Sequence, residues 1–93
     1  MIYGFKSDKD YECTLAIHKA LRAIGQLPVY THFNTIEPDA GCDEWVDDVS
    51  GVSHYVFLKY ETAKTPEELS TISATVAQTI AVTELSPDAI TAA

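Results

Sequence analysis

The densest chemistry in this sequence is acid. Glu37, Asp39, Asp43, Glu44, Asp47 and Asp48 all fall between positions 37 and 48, and residues 25–58 contain no Lys or Arg. Carboxylates at this density suit three tasks: holding a hard cation, meeting a basic surface, or keeping a loop hydrated. Glu37, Asp39 and Asp43 supply the oxygen ligands that Ca²⁺ or Mg²⁺ prefers, but Glu-Pro-Asp-Ala-Gly-Cys-Asp does not have the ligand order of an EF-hand loop. Cys13, His32, Cys42 and His54 are of metal-ligating type. None forms a closely spaced pair, so a zinc site would have to gather them from distant elements. Cys42 stands between Gly41 and Asp43, and a negative neighbourhood disfavours the thiolate a nucleophile needs. There is no glycine-rich phosphate loop and no nucleophile elbow. The sequence therefore predicts no catalytic set, no cofactor and no enzyme.

The acidic segment has a pattern of its own. Advancing about 100° per residue from Asp43 gathers Asp43, Glu44, Asp47 and Asp48 on one side of a helix, with Trp45, Val46 and Val49 on the other. This predicts a short amphipathic helix clamped to the domain by Trp45. Asp43 with Asp47 and Glu44 with Asp48 would be like-charge i,i+4 pairs, each costing roughly 0.2–0.5 kcal/mol. The carboxylates would be spaced at roughly one per 2 Å of axis, close to the one per ~1.7 Å of duplex DNA.

Composition bounds what can carry such a segment. The 93 residues are 46% hydrophobic and 22% charged, as expected of one folded domain. Six bases against 14 acids give a net charge of −8, which opposes direct nucleic-acid binding and adhesion to anionic membranes. No apolar run is long enough to span a bilayer, and no secretory leader is visible at Met1–Lys6. Two cysteines make no disulfide framework, so a reducing, cytoplasmic setting is expected.

The remaining pattern predicts the elements. Ile2–Phe5 reads as a strand with Tyr3 and Phe5 on one side. Ser7 followed by Asp10 resembles a capping box, and Cys13, Ile17, Ala20, Leu21 and Ile24 share a helical face, so a helix is expected over 8–24 with Gly25 as its C-cap. Val29–Phe33 and His54–Tyr60 read as strands, the second apolar on both sides. Residues 35–52 form a long acidic connection between them. Thr65-Pro66-Glu67-Glu68 is a strong helix start, continued by Leu69, Ile72, Val76 and Ile80. Residues 79–85 read either as the end of that helix or as a strand. A single domain over 1–85 is expected, followed by a loose or disordered tail at 86–93.

The expected class is α+β: a β-α-β-β-α sandwich, with a sixth, strand element if 79–85 is extended. Two helices would lie on one face of a three- or four-stranded mixed or antiparallel sheet. In element order this resembles a ferredoxin-like sandwich. In size and charge the chain also resembles small acidic inhibitors carried by phages and mobile elements.

Two functions follow as expectations. The first is an intracellular binding or inhibitor protein that presents Glu37, Asp39, Asp43, Glu44, Asp47 and Asp48, positioned by Trp45, to a basic protein surface. In its sharpest form it is a DNA mimic that blocks a DNA-binding or DNA-processing protein. The second is a homo-oligomeric ferredoxin-like module, a homodimer in its simplest form, with a structural or small-ligand role and no catalysis.

Overall fold

The computed structural model describes residues 1–9, 12–35, 41–46 and 54–85. Its elements are β1 (Ile2–Ser7), α1 (Thr14–Ala23), β2 (Tyr30–Asn34), β3 (Glu44–Trp45), β4 (His54–Lys59) and α2 (Pro66–Leu85). The strands form one mixed sheet in the order β2-β4-β1-β3. β4 runs antiparallel to both β1 and β2, so those two are parallel to each other, with α1 in the crossover between them. This is the split β-α-β arrangement of the ferredoxin-like order. The optional last strand does not form. The edge beside β1 is taken instead by β3, which pairs parallel to it.

Strand alternation separates two faces. Phe5, Val56 and Phe33 line up across β1, β4 and β2, as do Tyr3, Leu58 and Thr31. These rows lie under the helices, where Ile17, Leu21, Leu69, Ile72, Val76 and Ile80 complete the core. The opposite face carries Gly4, Phe57 and His32 in one row and Lys6, Tyr55 and Asn34 in the next. The two-sided apolar pattern of 54–60 is thus explained: Val56, Leu58 and Tyr60 pack on the helix side, while Tyr55 and Phe57 are buried on the other.

Helix α1 starts later than its capping residues predict. The first turn begins at Thr14, and its N-cap, Cys13, makes no side-chain cap bond. β1 continues to Ser7, which pairs with His54 of β4, so backbone pairing to a distant strand overrides the local capping signal. The Ser7 hydroxyl instead accepts the Lys9 N–H at 3.0 Å. The C-terminus follows the sequence closely. Gly25 adopts φ 79°, its N–H reaches the Arg22 carbonyl, and the Gln26 N–H reaches that of Leu21. That pair of bonds is a Schellman motif.

Helix α2 begins as its sequence predicts. The Glu68 N–H donates to Thr65 Oγ1 and the Thr65 N–H donates to Glu68 Oε1, both at 3.2 Å, forming a reciprocal capping box. The start is tied to the sheet by the Lys64 N–H, which donates to the Tyr3 hydroxyl at 2.8 Å. Residues 79–85 are helical. Ile80 extends the buried stripe, and Thr75, Thr79 and Thr83 bond their hydroxyls to carbonyls in the preceding turn, so these indifferent helix formers stay in register. The expected tail at 86–93 lies outside the described residues.

Candidate partner-binding site

The acidic segment is not helical where it is described. Residues 43–46 are extended along the free edge of β1, contrary to the amphipathic helix read from their spacing. Two physical reasons account for this. A helix would stack like charges at i,i+4, and it would leave β1 without a partner on that side. As a strand, the segment supplies that partner. The Asp43 N–H donates to the Ile2 carbonyl at 2.8 Å, and the Val46 N–H donates to the Gly4 carbonyl at 2.9 Å.

Trp45 locks the strand in place. Its ring lies over Gly4 on the open face and meets the edges of Tyr55 and Phe57 at centroid distances of 5.6 and 5.5 Å. Lys6 Nζ sits 5.2 Å from the indole centroid, in cation–π range. Val46 turns the other way and packs against the helix-side core. Trp45 and Val46 therefore anchor residues 43–46 to the sheet by strand alternation instead of a helical face, while Val49, expected on the same apolar side, lies outside the described residues.

The acids divide by role. Asp43 Oδ2 accepts the Ile2 N–H at 2.7 Å, so this carboxylate holds the edge as well as carrying charge. Glu44 is exposed on the same strand. Glu37, Asp39, Asp47 and Asp48 lie outside the described residues. Sequence reasoning missed Gly4, Lys6, Tyr55 and Phe57 as the seat of Trp45. A glycine inside a strand was the available signal, since it often marks a close approach by another group.

Cys42 begins this edge. Its thiol donates to the Glu44 carbonyl at 3.0 Å, with the Ile2 carbonyl 3.6 Å away. Burial pushes its pKa up, and the Asp43 and Glu44 charges push the same way against its backbone hydrogen bonds. Across the open face, Tyr30 and His32 of β2 face Cys42 over a shallow groove of about 250 Å³ floored by Phe57. A thiol held protonated is a poor nucleophile, so the groove has the shape of a small binding recess without an activated group. Among the described residues, no three His, Cys, Asp or Glu side chains are placed to hold a metal ion. None of the described helices is long and apolar enough to cross a membrane.

No protein-family model, curated protein or solved structure matches this chain.

Proposed function

We propose that this chain is a non-catalytic binding protein whose acidic β3 edge engages a basic surface on a protein partner. One observation carries the reading: residues 43–46 of the acidic segment are held to the sheet by the Asp43 N–H and carboxylate, by the Val46 N–H, and by Trp45 seated over Gly4. Charges on a fixed edge recognise a partner at lower entropic cost than charges on a free loop. The flanking sequence holds no base from 25 to 58 to neutralise them.

The partner is better described as a basic protein surface than as a nucleic-acid-binding groove. A strand rises about 3.3 Å per residue and alternates its side chains, so residues 43–46 carry just two carboxylates, Asp43 and Glu44, on opposite faces. The one per ~1.7 Å of duplex DNA is far denser. The likeness to duplex DNA depended on a helical rise that residues 43–46 do not have. An inhibitor of the phage or mobile-element type remains one form of this proposal. A reducing, cytoplasmic setting accords with the free thiols of Cys13 and Cys42.

Titration of ¹⁵N-labelled protein with a deca-lysine peptide tests the reading. Amide shifts concentrated at residues 42–46, suppressed by added salt, support it. Equal shifts at Glu61 and Glu67, which lie outside this edge, would show only diffuse attraction and overturn it.

A further inference from the structure

The two edges of the sheet are built in opposite ways. β3 is two residues long and acidic, the usual means of discouraging strand addition. β2 is five residues long, uncharged, free of proline and rich in β-branched and aromatic side chains. No Asp, Glu, Lys or Arg occurs from Gly25 to Ile36, in a chain of net charge −8. Among the described residues, β2 has no strand on its outer side. Leu27, Val29 and Tyr30 around its start are 56%, 50% and 40% exposed.

We infer that β2 pairs antiparallel with β2 of a second copy, joining the two sheets into one across a two-fold axis. The charge distribution selects this occupant. Two copies repel through their acidic edges, and β2 lies three strands from β3, at roughly 14 Å by strand spacing. A basic partner gains nothing from a strand without acids, whereas an identical copy meets no charge on β2 itself, the nearest being Lys59, one strand in and stacked over the Tyr30 ring at 5.8 Å.

The register follows from the ladder. Met1 and Tyr60 exchange hydrogen bonds, each N–H to the other's carbonyl at 2.8 Å, so the even positions of β4 face β1. The odd positions then face β2, where they meet Tyr30, His32 and Asn34. Thr31 and Phe33 are left with their N–H and C=O groups pointing outward. A two-fold axis at His32 pairs Thr31 with Phe33 of the copy, and Phe33 with its Thr31, giving four backbone hydrogen bonds. His32 then faces His32 of the copy as a non-hydrogen-bonded pair, with Cα atoms about 4.5 Å apart. So short an edge, with three exposed apolar side chains beside it, fits a weak dimer in the micromolar range or above.

Sedimentation equilibrium from micromolar to about 1 mM protein tests this. The expected result is a reversible monomer–dimer equilibrium. His32→Glu sets two carboxylates against each other and should raise the dissociation constant by up to about five-fold. His32→Cys in a Cys42→Ser background should oxidise to a covalent dimer, because that pair lies within disulfide reach. Thr35→Cys, off the axis, should not. The cross-link decides the matter even if the glutamate variant fails to fold. A chain that stays monomeric to about 1 mM, or a dimer that neither substitution touches, overturns the inference.

Discussion

Gly4 and Trp45 are a matched pair: the indole occupies the space that any side chain at position 4 would need. A methyl group built on Gly4 falls onto the Trp45 ring and 2.8 Å from Cys42 Sγ. The consequence reaches the proposed binding edge directly, because Trp45 fixes the strand that carries Asp43 and Glu44. Gly4→Ala should displace the indole and destabilise the fold by about 1–3 kcal/mol. Trp45 is the sole tryptophan, so its emission should shift to the red in the variant. Trp45→Ala uncovers Tyr55 and Phe57 and should cost about 2 kcal/mol. In the Trp45→Ala background, Gly4→Ala should lose most of its cost. Chemical denaturation of the four proteins measures that coupling, and strictly additive losses would contradict the account.

The start of α2 is held by a reciprocal pair, so its two halves should fail differently. Thr65→Ala should cost about 1 kcal/mol at pH 7, which for a domain of this size lowers Tm by roughly 4–8 °C. Glu68 should confer a pH dependence. Its pKa is lowered, first by the Thr65 N–H and also by Gln26 and Lys64. A carboxylate depressed on folding stabilises above its unfolded value and loses that contribution as pH falls through its folded value. The stability gap between wild type and Glu68→Gln should therefore be constant above about pH 5 and narrow below pH 4.5, the ordinary glutamate value. A gap that widens on acidification would contradict this.

Tyr60 gives the complementary case at high pH. Burial, with the Glu68 charge adding to it, pushes its phenol up to about 12. The protonated phenol is favoured by folding, so stability is intact below the ordinary value of 10 and is lost as pH rises towards 12. Tyr60→Phe should flatten this alkaline loss. The hydroxyl is buried without a hydrogen-bond partner among the described residues, so the substitution should cost little at pH 7. Thermal melts between pH 8 and 11.5 check both statements.

The thiols should report on unfolding. Cys13 is 1% exposed, and burial raises its pKa against a hydrogen bond with Thr83. Cys42 is only partly buried. Alkylation at pH 8 should label Cys42 first, with Cys13 reacting only as fast as the domain opens. Mapping the labelled sites by mass spectrometry distinguishes this from equal reactivity.

Much of this fold is legible because its signals are local. The Thr65–Glu68 box, Gly25 past α1, and the stripe from Leu69 to Ile80 need only neighbours in sequence, and each appears as the residues predict. Two features needed distant partners. α1 begins late because Ser7 pairs with His54, and no local capping rule contains that strand. β3 is two residues long, and its stability comes from Gly4, Tyr55 and Phe57, so helical periodicity was the wrong ruler for it. The same contact explains the candidate site. The sequence marks where the acid lies, but its attachment to the edge of β1 is a tertiary fact.

The most direct test of the binding reading compares two charge-matched variants. One reverses Glu44 and Asp47 to lysine. The other reverses Glu61 and Glu67, leaving the β3 edge and the capping box intact. Each is immobilised beside wild type, exposed to the same lysate and eluted with rising salt. The account predicts that wild type and the Glu61/Glu67 variant retain the same basic protein at equal salt, while the Glu44/Asp47 variant releases it early or never holds it. Equal retention by both variants, or retention by neither wild type nor variants, would contradict it.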